Sequence, residues 1–168
     1  LSNVIAVAAG SAHSAALRAD GTVVVWGGSS VEAQTNVPTG LMKVVSIDAG
    51  GSQTLALRED ASLIAWGGRT QYPVPPDVKN VTGFSVGPAF AALDLALLSN
   101  GTVRAWGGSG NATNVPANLS GIIGVEGAGG SDQTTGIALA IRSNRTVIGW
   151  GGPVGVFSLT NVPPGVSN

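Results

Sequence analysis

The sequence contains no cysteine and a single histidine, and only 10% of its residues are charged. The lack of cysteine excludes disulfides, thiolate metal ligands and cysteine nucleophiles. His13 is the one imidazole that could act as a general base. The nine acidic residues form no paired-carboxylate or calcium-loop spacing, and no glycine-rich phosphate loop leads into a helical segment. The composition therefore predicts a protein that is not an enzyme and holds no metal or cofactor.

Clustered positive charge and long apolar runs are also missing. The eight lysines and arginines are scattered singly and the net charge is -1, so there is no basic stripe that could follow a nucleic acid backbone. The longest apolar runs, such as residues 4–9, are far shorter than the roughly 20 residues that a membrane span requires. We expect neither nucleic acid binding nor direct membrane insertion.

Glycine is abundant, with 26 residues, and much of it belongs to a repeat. The tripeptide Trp-Gly-Gly begins at Trp26, Trp66, Trp106 and Trp150, with spacings of 40, 40 and 44 residues. Self-similarity at this period indicates an array of supersecondary units that bury apolar surface against their neighbours. We expect one repeat domain, residues 1–168, with units near 1–40, 41–77, 78–118 and 119–168. The four tryptophans are predicted to be buried core residues.

Each unit divides into three short stretches of high β-propensity. In the first unit these are residues 4–8, 14–18 and 22–26, and Asp20-Gly21 between the last two predicts a two-residue hairpin turn. Asp60, Asn100 and Asn144 occupy the same turn position in the other units. A polar loop and a proline-containing connector follow each Trp-Gly-Gly. The sequence thus predicts an all-β fold of four short, mainly three-stranded antiparallel units.

The pattern A-A-G-x-x-H-S-x-A-L-x-x-D-G-T-V-x-x-W-G-G in the first unit resembles the regulator of chromosome condensation repeat. The resemblance covers the chain in four copies and implies a β-propeller, either a four-bladed ring or, as we favour, an arc of a larger propeller. The short spacing and the Thr-Asn-Val-Pro connector look most similar to secreted beta-lactamase inhibitor propellers. The histidine of the family repeat is kept only as His13, and the resemblance implies that its side chain is hydrogen-bonded inside the blade. The equivalent positions in the other three units hold Gln53, Leu93 and Thr134.

Five N-glycosylation sequons occur among ten asparagines, although chance would supply fewer than two, because serine and threonine make up one residue in six. They begin at Asn80, Asn100, Asn111, Asn118 and Asn144. The hairpin turn accounts for Asn100 and Asn144, which leaves three with no structural reason. With the low charge, these sequons favour an extracellular or cell-surface glycoprotein that carries N-linked glycans. The alternative is an intracellular or prokaryotic chain that is simply rich in asparagine and threonine.

The function that these features favour is a non-enzymatic interaction or structural module. It would bind a protein partner, or other segments of a larger assembly, through blade loops or through the open blade ends. Tyr72, Phe90 and Phe157 are the candidate aromatic anchors for partner contact. Two alternatives remain open, namely a secreted propeller that blocks the active site of an enzyme and a lectin-like protein that binds glycans.

Overall fold

Short β-strands make up the regular structure of this chain. The computed structural model describes residues 1–28, 33–68, 72–87, 93–108, 110–128 and 136–152. Within them the strands are β1 Val4–Ala9, β2 His13–Arg18, β3 Val23–Gly27, β4 Val44–Gly50, β5 Gln53–Arg58, β6 Leu63–Gly67, β7 Val81–Val86, β8 Leu93–Leu98, β9 Val103–Gly107, β10 Ile122–Ala128, β11 Ile137–Arg142 and β12 Val147–Gly151. A single 3₁₀ turn, Gly110–Thr113, is the only helix of any kind in the described residues.

Consecutive strands pair into four three-stranded antiparallel sheets, in the orders β1-β2-β3, β4-β5-β6, β7-β8-β9 and β10-β11-β12. We call these sheets blades 1 to 4. The prediction of an all-β fold with four short three-stranded blades is confirmed. The chain forms two compact units, Leu1–Val81 and Thr82–Asn168, which are described separately below. The limits predicted for one repeat domain stay a prediction.

The first strand of a blade carries a β-bulge in blades 1, 2 and 4. The register of the strand against its neighbour shifts between Val4 and Ala6, and equivalent shifts occur in β4 and β10. A bulge leaves one extra residue outside the regular pairing and bends the strand. The extra residues are Ile5, Val45 and Ile123, each more than half exposed. The bulge therefore accounts for these three exposed apolar side chains.

The hairpin turn between the second and third strands differs from the predicted two-residue type. Gly21 N–H donates to the Arg18 carbonyl (3.0 Å) and Arg18 N–H donates to the Thr22 carbonyl (2.9 Å), so the loop contains three residues. Only its last residue is left-handed, with φ 78° at Gly21. Asp20 instead accepts two hydrogen bonds from Thr22, from its N–H (3.0 Å) and its hydroxyl (2.6 Å). The two-residue turn was a wrong prediction because the acidic residue serves as an acceptor and not as a left-handed residue.

The same turn recurs in the other three blades. Asp60, Asn100 and Asn144 each accept the equivalent pair of hydrogen bonds from the residue two positions on. The left-handed place holds glycine in blades 1 and 3, but Ala61 (φ 62°) in blade 2 and Arg145 (φ 65°) in blade 4. Side chains with a Cβ are strained in this conformation.

Replacement of Ala61 by glycine is therefore expected to stabilise the protein. Relief of left-handed strain stabilises the folded protein by about 1–2 kcal/mol. The greater flexibility of glycine in the unfolded chain offsets about 0.4–1 kcal/mol of this gain. The net gain in the free energy of unfolding should be about 0.5–1 kcal/mol, measurable by urea denaturation. The reverse change at the matched position, Gly21→Ala, should destabilise, because its Cβ would also lie 3.1 Å from the Lys43 backbone. A loss of stability in Ala61→Gly would contradict this account of the turn.

In each unit the core lies between two blades packed face to face. We define the covering face of a blade as the face that lies on the following blade, and the receiving face as the opposite one. In the first unit, Ala6, Ala15, Leu17, Val23 and Val25 of the blade 1 covering face pack with Ile47, Ala56, Ile64 and Trp66 of the blade 2 receiving face. In the second unit, Leu95, Leu97, Val103 and Ala105 of blade 3 pack with Val125, Ala140, Ile148 and Trp150 of blade 4.

Candidate interaction surfaces

Trp66 and Trp150 lie on the receiving faces of blades 2 and 4. Each is buried by the covering blade and by the connector that follows that blade. The indole Nε1 of Trp66 donates to the Gln34 carbonyl (3.2 Å), and that of Trp150 donates to the Ala112 carbonyl (2.9 Å). Gln34 and Ala112 occupy the same place in the repeat, directly before Thr-Asn-Val-Pro. Both indoles are buried. At these two positions tryptophan suits the contact because it combines a large apolar ring with one hydrogen-bond donor.

Trp26 departs from the predicted burial of all four tryptophans. Trp106 is buried like Trp66 and Trp150, whereas Trp26 is 44% exposed. Its register is unchanged, because Trp26 pairs with Ser14 as Trp66 pairs with Thr54. The difference is that, among the described residues of the first unit, no blade lies on the receiving face of blade 1. The prediction of a buried Trp26 was wrong because it assumed a cover for every unit.

The receiving face of blade 1 is an uncovered apolar surface. Val7, Ala16 and Val24 are cross-strand neighbours on this face, and Trp26 lies beside them. Val7 is 74% exposed, whereas Ile47, its counterpart in blade 2, is 7% exposed. The residues on the receiving face of blade 1 are of the same types as those on the receiving face of blade 2. The two faces therefore differ only in whether another sheet packs on them. Exposed apolar patches of this kind mark interaction sites when they occur in functional proteins.

The covering face of blade 4 is the second uncovered surface. Leu139, Ile141 and Val147 line, together with Gly124 and Glu126, a mainly apolar groove of ≈ 280 Å³. Ile141 is 45% exposed, whereas its counterpart in blade 3, Leu97, is 5% exposed. Sequence reasoning foresaw open blade ends but did not identify these residues. The signal was available, because the register of the repeat alone assigns them to the face that is buried in blades 1 and 3.

His13 lies in the contact between blades 1 and 2. Its Nε2 is 2.8 Å from the Thr54 hydroxyl oxygen, and both side chains are buried. The ring occupies the space beside Gly10, where any Cβ would overlap it. Burial lowers the pKa of His13 below its ordinary value, because the apolar surroundings disfavour the imidazolium ion. His13 therefore serves as a neutral, structural side chain between blades.

The counterparts of His13 in the other blades follow from strand pairing with the glycine that ends the third strand. His13 pairs with Gly27, and the equivalent partners of Gly67, Gly107 and Gly151 are Gln53, Leu93 and Ile137. Gln53 and Leu93 are the residues that the repeat pattern predicted at these positions. The assignment of Thr134 was wrong by three residues, since the insertion in this unit precedes the strand and does not lie within it.

Lowering the pH should destabilise the fold through His13. The unfolded chain takes up a proton near pH 6.5 while the folded chain resists it, so the free energy of unfolding should fall as pH drops below about 6.5. Above that range the contribution of His13 is constant. Urea denaturation between pH 5 and 8 measures the slope, and His13→Gln, which copies blade 2, should lose the part of the slope due to imidazole. Identical slopes in both proteins would contradict the assignment.

The predicted sequons fall in different settings. Asn111, Asn118, Asn80, Asn100 and Asn144 are all exposed. Asn80 has a left-handed backbone (φ 56°), as do Asn3 (φ 57°), Lys43 (φ 57°) and Gly121 (φ 64°) directly before the first strand of the other blades. Asparagine tolerates this conformation well, so the fold accounts for Asn80 and the unexplained sequons reduce to Asn111 and Asn118.

The three aromatic anchors stay predictions. Tyr72 is half-buried beside the proline connector of blade 2, and Phe90 and Phe157 lie outside the described residues.

Metal sites and membrane-spanning helices have no candidate in the described residues. Within the part of the chain that the structure describes, no group of three or more histidine, cysteine, aspartate or glutamate side chains could hold a metal ion. None of the helices in that same part is long and apolar enough to cross a membrane.

Comparison with known proteins places the first blade in a defined repeat. The family model of the Regulator of chromosome condensation (RCC1) repeat matches residues 4–31, which contain β1, β2 and β3. The structure of Prp20p, the RCC1 of Saccharomyces cerevisiae, superposes with a TM-score of 0.67 and 19% identity over 88% of this chain and 45% of that one. The fold is that of an RCC1-like β-propeller.

Other RCC1-like propellers are similar to the same extent. The CRINKLY WD40 ectodomain of the receptor kinase ACR4 from Arabidopsis thaliana has a TM-score of 0.69 and 16% identity, over 88% of this chain and 50% of that one. The ectodomain of the Physcomitrella patens receptor kinase CR4 has a TM-score of 0.66 and 20% identity, over 88% and 40%. This chain thus spans half or less of the length of these structures. Among curated proteins, none matches the sequence.

Proposed function

We propose that this RCC1-like chain is a non-enzymatic protein-binding module that works in an extracellular or cell-surface assembly. The observation that carries the proposal is the pair of uncovered blade faces, on blade 1 around Val7 and Trp26 and on blade 4 around Ile141. Both present apolar side chains on a sheet that is held rigid by its hydrogen bonds. An apolar surface on a rigid scaffold binds another protein at little cost in conformational entropy.

The similar structures support protein binding as the general role. The structure of Prp20p was described with its binding to Gsp1p and histones, and yeast RCC1 was also solved bound to Kap60. Two other similar structures are receptor-kinase ectodomains. An extracellular place for the present chain rests on these ectodomains and on the exposed sequons at Asn111 and Asn118.

A partner experiment tests the proposal. The chain is incubated with the extracellular fraction and with the nuclear fraction of its source cells, and bound proteins are identified by cross-linking and mass spectrometry. Two variants are compared with it, Val7→Glu on the blade 1 face and the triple alanine variant at Tyr72, Phe90 and Phe157. A partner from the extracellular fraction that is lost in either variant supports the proposal and indicates which surface binds. A partner found only in the nuclear fraction, or no partner that either variant affects, would overturn it.

Glycosylation gives an independent check of the location. Expressed through a eukaryotic secretory pathway, the chain should carry sugar on Asn111 or Asn118, since both are exposed and lie in connectors where a glycan projects into solvent. Peptide mapping before and after glycosidase treatment measures the occupancy of each site. Asn80 serves as the comparison, because the fold already explains this asparagine. Unmodified asparagines at both connector sites would remove the main sequence support for an extracellular protein.

A further inference from the structure

We propose that Asn100 is a site of spontaneous deamidation in the folded protein, and that the hairpin turn of blade 3 accommodates the aspartate that results. The inference goes beyond the proposed binding function and does not depend on it. Asn100 is followed by Gly101, and this is the single Asn-Gly pair in the sequence. The two residues belong to the three-residue loop between β8 and β9, in which Asn100 is exposed.

The reaction needs only the chain and water. The backbone nitrogen of Gly101 attacks the side-chain carbonyl carbon of Asn100 and gives up its proton, and the side-chain amide nitrogen takes up a proton and leaves as ammonia. The product is a five-membered succinimide ring. Water then adds to one of the two ring carbonyl carbons, and the bond from that carbon to the ring nitrogen breaks. Opening at the side-chain carbonyl gives aspartate, and opening at the main-chain carbonyl gives isoaspartate, so no oxidant or reductant is consumed.

The hydrogen bonds around the Asn100 side chain favour the attack. Its Oδ1 accepts one hydrogen bond from the Thr102 N–H (3.1 Å) and another from the Thr102 hydroxyl (2.7 Å). Negative charge develops on this oxygen as the Gly101 nitrogen adds to the carbonyl carbon. Two donors that already point at the oxygen stabilise that charge, as the donors of an oxyanion hole do. The folded turn therefore assists the addition step.

One backbone hydrogen bond has to open before the attack. The Gly101 N–H donates to the Leu98 carbonyl (2.9 Å), and the nitrogen must turn from that oxygen toward Asn100. This bond lies in the loop at the tip of a hairpin, where local opening costs far less than unfolding of the sheets. Glycine also changes its backbone conformation freely, because it has no Cβ. The reaction consequently requires a local rearrangement of the loop while the blade stays folded.

The turn of blade 4 is a matched site of low expected reactivity. Asn144 accepts the same two hydrogen bonds from Thr146 (3.1 and 2.7 Å), and the Arg145 N–H donates to the Arg142 carbonyl (2.8 Å). Here the attacking nitrogen would belong to Arg145, whose Cβ hinders the approach. Asn100 should deamidate on the order of tenfold faster than Asn144. This ratio corresponds to about 1.4 kcal/mol in activation free energy, similar to the strain that a Cβ causes in a disfavoured backbone conformation.

Blade 1 shows that the fold accepts the product. Deamidation to aspartate turns the loop sequence of blade 3 into Asp-Gly-Thr, which is the sequence of Asp20-Gly21-Thr22. Asp20 accepts the equivalent hydrogen bonds from Thr22 (3.0 and 2.6 Å). These bonds, first that from the Thr22 hydroxyl, lower the pKa of the Asp20 carboxyl below its ordinary value and keep it ionised. An ionised carboxylate resists renewed attack by the glycine nitrogen, so aspartate is the end state of the reaction.

Isoaspartate should disturb the same turn. Its peptide bond runs through the side chain and adds one carbon atom to the main chain of the loop. A Cβ on Gly101 would lie 3.6 Å from the Gly121 nitrogen and 3.7 Å from the Ile122 nitrogen, so the loop lies close to the start of blade 4. A longer main chain changes this contact. The isoaspartate fraction should therefore unfold at a lower urea concentration than the aspartate fraction.

Incubation of the folded chain tests the reaction. The protein is produced in a bacterial host that attaches no N-linked glycans, so that Asn100 keeps a free amide. It is kept in mildly alkaline buffer made with water enriched in the heavy oxygen isotope, and peptide mapping by mass spectrometry follows each asparagine. Asn100 should lose its amide first and take up one heavy oxygen per converted site, on the order of tenfold faster than Asn144.

The variant Arg145→Gly tests the role of the glycine. It creates a second Asn-Gly pair in the matched turn, and it relieves the left-handed strain at this position (φ 65°). Faster reaction in this variant therefore cannot come from a less stable fold. Deamidation of Asn144 should accelerate about tenfold, to a rate close to that of Asn100. The control variant Arg145→Ala keeps a Cβ and should leave Asn144 as slow as in the parent.

Two further comparisons complete the test. The variant Asn100→Asp copies the product and should match the parent in its circular dichroism and in its urea midpoint. The parent is also incubated in urea, where the turn is absent. The proposal would be overturned by amide loss at Asn100 in the unfolded chain only, by equal rates at Asn100 and Asn144 in the folded chain, or by no acceleration in Arg145→Gly. A destabilised Asn100→Asp protein would show that the turn does not accommodate the product.

Discussion

Replacement of Trp66 by alanine is expected to lower the free energy of unfolding by about 3–5 kcal/mol. The indole is 8% exposed and packs between the two blades of the first unit. Its removal leaves a cavity that the paired sheets are too constrained to fill, and it also leaves the Gln34 carbonyl without the indole donor. Urea denaturation followed by circular dichroism measures the loss.

Trp26→Ala is the matched control for this substitution. Trp26 stands in the same Trp-Gly-Gly context and at the same register, but 44% of it is exposed. Its truncation should cost about 1 kcal/mol or less, because less apolar surface is returned to water. Equal losses in the two variants would show that tryptophan burial in the blade contact is not what stabilises the fold.

The sequence predicted the strands closely because their boundaries are marked by local chemistry. The stretches expected at residues 4–8, 14–18 and 22–26 are observed as Val4–Ala9, His13–Arg18 and Val23–Gly27. Turn residues and Trp-Gly-Gly delimit each strand, and both depend on residues next to one another in the chain. The same local signals recur in every unit, so one correct assignment was repeated four times.

Properties that depend on neighbouring blades could not be predicted as well. The exposure of Trp26 reflects whether another sheet lies on it, and no feature within the tripeptide encodes that. The hairpin turn was misassigned because Asp-Gly suits two loop lengths, and the choice depends on the pairing of Arg18 with Thr22. Asn80 was counted as an unexplained sequon because the sequence of one repeat unit does not reveal a left-handed backbone. The requirement for this conformation is recognised only when the backbone of Asn80 is compared with that of Asn3, Lys43 and Gly121 in the other blades.

The glycines of Trp-Gly-Gly are the other part of the motif whose purpose the structure explains. Gly67 is left-handed (φ 109°) and lies against the start of β5, where a Cβ would overlap the Ser52 carbonyl oxygen. That oxygen already accepts a hydrogen bond from Gly68 N–H (3.0 Å). The equivalent bond joins Gly28 to Ala12 in blade 1. The glycine pair thus closes the end of the strand hairpin by direct backbone contact.

Gly67→Ala should consequently destabilise the protein by about 3 kcal/mol or more. A left-handed alanine costs about 1–2 kcal/mol, the overlap with Ser52 adds about 1–3 kcal/mol, and loss of the Gly68 hydrogen bond adds about 0.5–1.5 kcal/mol. Gly40→Ala separates these contributions, because Gly40 is also left-handed (φ 78°) but no atom beyond its two neighbours in the chain lies within 4 Å of the place that a Cβ would take. This substitution should lower the free energy of unfolding by only about 1 kcal/mol. That figure is the cost of the left-handed strain minus the stabilisation that alanine gives by lowering the entropy of the unfolded chain. Denaturation of both variants under one set of conditions decides between the alternatives, since equal losses would mean that backbone conformation alone, and not close approach of the chain, requires glycine after the tryptophan.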